Sequence, residues 1–62
     1  MYNVEIGTSK SICFSSDEVA NLIFESTGVW QLSQYLREIC PKMNVGEVEI
    51  IDDADIIVEC IV

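Results

Sequence analysis

At 62 residues the chain has room for one small domain, residues 1–62, built on a single core. Half of it is hydrophobic, too apolar for a disordered tail, and eleven acids against three bases with no histidine give a net charge of −8. That charge opposes direct binding to nucleic acid or to an anionic membrane, and no uncharged stretch approaches the ~20 apolar residues of a membrane span.

Tyr2, Val4 and Ile6 alternate with Asn3 and Glu5, the period-two pattern of a strand with one buried face. Gly7-Thr8-Ser9 reads as a turn. Lys10 to Phe14 alternates again, with Ile12 and Phe14 on one face and Ser11 and Cys13 on the other, so the first fourteen residues are expected to form a β-hairpin. Ser15 with Glu18 three residues on fits a capping box, and Phe14 with Val19 supplies the hydrophobic staple around it. A helix follows, with Asp17 and Glu18 at the end where its dipole favours acids and with Val19, Leu22, Ile23 and Ser26 as its stripe. Ser26-Thr27-Gly28 closes it. A second helix carries Leu32, Leu36 and Ile39, with Val29 and Tyr35 beside that stripe and Arg37 near its end, and Cys40-Pro41 stops it.

Two further strands, Val45 to Ile51 and Ile56 to Val62, are rich in β-branched residues. Pairing Ile51 with Ile56 would set Glu59 opposite Val48 on the buried side, which is costly. A three-residue loop, Asp53-Ala54-Asp55, instead pairs Ile50 with Val58 and Val48 with Cys60 inward. Ile51 and Ile57 then face outward and Glu49 lies opposite Glu59. This register needs a left-handed residue at the end of the loop, a conformation Asp55 tolerates. The expected fold is α+β: a two-layer ββααββ domain, a four-stranded antiparallel sheet with two helices on one face. Which strands join the two hairpins is left open by the pattern.

Catalytic chemistry has little to draw on. Without histidine the usual base for a serine or cysteine nucleophile is missing, and the carboxylate pair Glu49 and Glu59 would sit on a strand surface with no cleft, so no enzyme is expected. Gly7-Thr8-Ser9-Lys10-Ser11 lacks the other glycines of a phosphate-binding loop and runs into a strand where a helix N-terminus belongs. Asp52, Asp53 and Asp55 lack the glycine and distal glutamate of a calcium loop. Cys13, Cys40 and Cys60 have neither close spacing nor histidine partners for zinc. With no apolar leader ahead of them, they read as buried thiols of a cytoplasmic protein, and no cofactor or metal is expected.

What stands out is the acid distribution. Glu47, Glu49, Asp52, Asp53, Asp55 and Glu59 all lie in the last hairpin, which has no lysine or arginine. Ordinary surfaces mix signs, so this hairpin is expected to dock, as an acidic face, on a basic protein or nucleoprotein complex, with Trp30 as an aromatic anchor away from the second helix's stripe. Size and charge together resemble those of small acidic viral inhibitors, the anti-restriction and anti-CRISPR proteins, which would act in the host cytoplasm as nucleic-acid mimics; no motif carries the likeness. The alternative expectation is a structural subunit or homodimer assembled through Ile51, Ile57 and Ile61 on the open sheet face.

Overall fold

The computed structural model describes residues 1–62. Strands β1 (Tyr2–Ile6) and β2 (Ser9–Cys13), helices α1 (Ser16–Thr27) and α2 (Trp30–Ile39), and strands β3 (Val48–Ile51) and β4 (Ile56–Cys60) follow in that order, with 3₁₀ turns over Cys40–Lys42 and Asp52–Ala54. This is the α+β arrangement expected. The sheet is antiparallel throughout and runs β2-β1-β4-β3, so the two hairpins meet through β1 and β4. No helix is long and apolar enough to cross a membrane.

The first hairpin turns through Gly7 and Thr8, with Ile6 opposite Ser9 and Gly7 at φ +59, the positive φ that a two-residue hairpin loop requires of its first residue. Helix α1 starts as its residues direct: the Ser15 hydroxyl accepts from the Glu18 amide at 3.2 Å, and the Glu18 carboxylate accepts from the Phe14 amide at 3.2 Å. Gly28, left-handed at φ 70, ends it and donates its N–H to Phe24 O at 2.8 Å. Phe14 itself stays exposed while Val19 is fully buried, so the staple buries little of the aromatic ring.

The two helices run side by side in opposite directions, joined at three levels. Asp17 and Arg37 form an ion pair at 3.5 Å, the Ser33 hydroxyl donates to Ala20 O at 2.8 Å, and the Phe24 and Trp30 rings meet edge to face at 5.8 Å. Ser33 lies on the buried side of α2, where a small side chain lets the helices approach and its hydroxyl is satisfied by a backbone carbonyl.

Under the helices, Tyr2, Val4, Ile56, Val58 and Cys60 line the covered face of the sheet, and Val19, Ile23, Leu36 and Cys40 close the core from above. Tyr2 stands between Cys13 on β2 and Cys60 on β4, and its hydroxyl donates to Cys40 O at 2.9 Å, tying the first strand to the end of α2.

The last hairpin departs from expectation. Ile51 pairs with Ile56, Ile50 with Ile57, Glu49 with Val58 and Val48 with Glu59, one residue away from the expected register. The loop has four residues, Asp52 to Asp55, of which only Asp55 is left-handed, at φ 56, as expected of it. Residues 45–47 are not strand. Glu47 N–H returns to Asn44 O at 3.0 Å across a tight turn, and Gly46 sits in it at φ +93. Gly46 N–H then donates to Cys60 O at 2.7 Å while Cys60 N–H donates to Glu47 O at 3.0 Å, so two residues of one chain segment oppose one of the other. That is a glycine bulge. Its extra residue turns β3 over relative to the simple alternation. Glu49 and Ile51 face the helices, and Val48 and Ile50 face out beside Glu59 and Ile57. The penalty attached to Glu59 opposite Val48 does not arise, because that pair lies on the open face.

Gly46→Ala should therefore lower unfolding stability by about 1–2 kcal/mol, since a Cβ is strained at that φ although nothing lies within 4 Å of it. Urea unfolding measures this; an alanine variant as stable as the parent would contradict the bulge.

Candidate functional site

The residues expected to form one acidic face are dispersed by the register. Glu59 lies on the open face, opposite Asn3 and Val48. Glu49 lies on the helix-facing side of β3, half-buried, where its Oε2 accepts a 2.7 Å hydrogen bond from the Tyr35 hydroxyl of α2. Glu49 and Glu59 thus do not oppose each other. Glu47 closes the turn ahead of β3, its Oε1 accepting from the Asn44 amide at 2.6 Å. Asp52, Asp53 and Asp55 are exposed in the loop at the end of the sheet, and Asp55 O accepts from Gly7 N–H at 2.9 Å, joining the two hairpin turns. No group of these carboxylates or of the cysteines is arranged to hold a metal ion.

What the register exposes instead is apolar. Val48 and Ile50 are 48% and 60% exposed on the face that carries no helix, and Ile57 across from Ile50 is 36% exposed. Glu59 and Glu5 lie among them, since β1 sets Asn3 against Glu59 and Glu5 against Ile57. At the far edge, β2 adds exposed Ile12 and Lys10, the latter opposite Glu5. Of the three isoleucines expected to bury a second copy, only Ile57 belongs to this exposed set. Ile51 is half-buried toward the helices, and Ile61 is half-buried beyond the end of β4, its N–H bonded to Met1 O at 3.0 Å. Trp30 is 59% exposed at the tip of the helical pair, away from the stripe as its position in α2 implies. It is on the helical layer, whereas the apolar strip of β3 and β4 is on the opposite face of the sheet, so the two do not form one site.

The cysteines are free and buried. Burial, reinforced by the neighbouring Cys13 and Cys60 thiols and by Glu49, pushes the Cys40 thiol up to about 11 from its usual 9.0. Burial likewise raises Cys13, with Glu18 adding to the effect, and raises the Tyr2 phenol, with Cys40 and Cys60 adding to it. These groups are held neutral, which suits packing and not nucleophilic chemistry. The Tyr35 phenol is also raised, chiefly by its hydrogen bond to Glu49.

Compared with known proteins, the chain matches no protein-family model, no curated protein and no solved structure.

Two outcomes follow from this arrangement. Glu49→Lys should lower the melting temperature, because an ammonium cannot accept the hydrogen bond that the Tyr35 hydroxyl donates and does not stand opposite Glu59. Tyr35→Phe should cost nothing further in that background; additive losses would show that the two do not bond. The second concerns alkaline pH. Below pH 9 the Cys40 thiol is neutral in both folded and unfolded chains, and its contribution is whole. As pH rises from 9.0 toward about 11, the unfolded thiol ionises first and stability is lost. Melting temperatures across that window should fall less steeply in Cys40→Ala than in the parent, and equal slopes would contradict the assignment.

Proposed function

We propose that this chain is a non-enzymatic protein-binding module that docks the β3–β4 side of its open sheet face onto a basic partner. The observation that carries the reading is the adjoining exposed set Val48, Ile50 and Ile57, which has acids around it and no base from its own hairpin. Stable interfaces combine an apolar centre with a polar rim, and here Glu5, Glu47, Glu59, Asp52 and Asp53 supply acids, with Lys10 across from Glu5 the one base on that face. A partner of opposite charge is drawn in by that rim and held by burial of the centre. Surfaces that otherwise hold nucleic acid offer such charge, and an inhibitor that occupies one fits the size and acidity of this chain. Three buried free thiols accord with a reducing, cytoplasmic setting.

A second copy suits the surface less well. Face-to-face pairing would bring Glu5 and Glu59 against the same acids in a molecule that already carries −8, with Lys10 the lone cation on the face.

The test uses the immobilised protein and a lysate of its source cells, with the retained protein identified and then purified. A basic protein should be retained, released progressively as salt rises, and lost when Ile50→Asp places a charge at the centre of the contact. Glu59→Lys should weaken retention, and Glu25→Lys on the exposed side of α1 should leave it intact. Retention untouched by Ile50→Asp and Glu59→Lys would overturn the reading.

A further inference from the structure

The bulge at Gly46 also fixes which backbone groups of β3 are free. In an antiparallel ladder, residues alternate between those that exchange hydrogen bonds with the neighbouring strand and those whose N–H and C=O point away. The bonds joining Cys60 to Gly46 and Glu47 set the phase at one end. Counting along the observed register, Glu49 bonds with Val58 and Ile51 with Ile56, while the N–H and C=O of Val48 and Ile50 point away from the sheet. The opposite phase on β4 directs Ile57, Glu59 and Ile61 toward β1, in agreement with the bond from Ile61 N–H to Met1 O. Val48 and Ile50 are thus unpaired in backbone and exposed in side chain.

The two edges of the sheet are guarded differently. On β2 the residues pointing outward are Lys10 and Ile12, and a lysine is a common device for keeping other strands off an edge. The β3 edge has no lysine, arginine or proline. Its covered side presents Glu49, whose Oε2 is bonded by Tyr35 and whose Oε1 remains for a cation, and Glu47 and Asp52 lie at its two ends.

We infer that the partner engages this chain by strand addition: an extended segment in which apolar and basic residues alternate pairs with the free edge of β3. The inference rests on the docking reading above and specifies how that docking is made. Apolar side chains of the added strand lie beside Val48 and Ile50 on the open face, and their N–H and C=O groups bond to those two residues. The intervening lysines or arginines fall on the other side, at Glu49. Backbone bonds give the pairing its affinity, and the alternation gives it its direction of preference. The edge is short, so the strand contact works together with the apolar surface of β3 and β4.

The experiment uses the whole chain, labelled for amide NMR, and a short soluble peptide alternating valine and lysine. Adding it should shift the Val48, Glu49 and Ile50 amides and the Tyr35 ring, and should slow hydrogen exchange at Val48 and Ile50, which exchange freely without it. A twin peptide N-methylated on its valines should bind roughly fivefold more weakly for each bond it blocks. A valine–glutamate twin should not bind. Absence of binding, shifts centred on Lys10 and Ile12, or equal affinity for the N-methylated twin would each overturn strand addition. If the peptide fails while Ile50→Asp still abolishes capture of the natural partner, the docking reading stands and only the strand pairing falls.

Discussion

Gly46 holds a backbone conformation that other residues adopt only under strain, and the bulge it makes opposite Cys60 decides which way β3 faces. The faces of β4 are settled independently, because its pairing with β1 sets Ile56, Val58 and Cys60 beside Ile6, Val4 and Tyr2 under the helices. β3 has no such second neighbour. Its orientation follows from how the chain arrives at Glu47 and leaves through the four-residue loop, and both ends agree on the same register. The outcome places two β-branched residues in solvent and one carboxylate against the helical layer, the reverse of what burial alone would choose for an isolated strand.

That choice is tolerable because β3 is an edge and because α2 supplies a partner. Glu49 is only half-buried, and the Tyr35 hydroxyl replaces part of the hydration it loses. Among the buried residues the polar groups are bonded, Tyr2 to Cys40 O and Ser33 to Ala20 O, while Gln34 Nε2 and Arg37 Nε on the half-buried side of α2 are covered without a partner. Both helices lie on one face of the sheet, and the other face carries none. That open face displays a strip of exposed apolar side chains, Val48, Ile50 and Ile57, along β3 and β4. Glu5 and Glu59 lie among these side chains, and the β3–β4 hairpin carries no lysine or arginine.

Much of the architecture is legible from local signals. The alternation of Tyr2 to Ile6, the Ser15 and Glu18 cap, the Gly28 stop and the left-handed Asp55 each depend on a few neighbouring residues, and each is found where those residues put it. All three cysteines are buried, but on β2 it is Cys13 that faces the core while its apolar neighbours Ile12 and Phe14 stay exposed, so alternation there does not tell which face is covered. The register of the last hairpin is not legible in the same way. Ile50 and Ile51 are adjacent and equally apolar, so alternation alone is consistent with either face, and Gly46 counts as one more residue of the strand unless its turn with Asn44 is recognised. Asn44 and Gly46 two apart, with Glu47 able to cap the turn, are the signal that marks it. Ser33 is missed for a different reason: its burial depends on the close approach of α1 at Ala20, a contact between helices that periodicity in one helix does not contain. The link between Tyr35 and Glu49 is out of reach until the register is known.

Which β3 residue stands across from Glu59 decides which side chains of that strand reach the open face. In a pair that exchanges no hydrogen bonds, the two α-carbons approach to about 4.5 Å and their α-protons lie close enough for a strong nuclear Overhauser effect. Two-dimensional NMR of the folded chain should give strong α-proton contacts between Glu59 and Val48 and between Ile57 and Ile50, as the observed pairing requires. Strong contacts from Glu59 to Glu49 and from Ile57 to Ile51 would mean that β3 faces the other way, with Val48 and Ile50 neither exposed on the open face nor free in backbone.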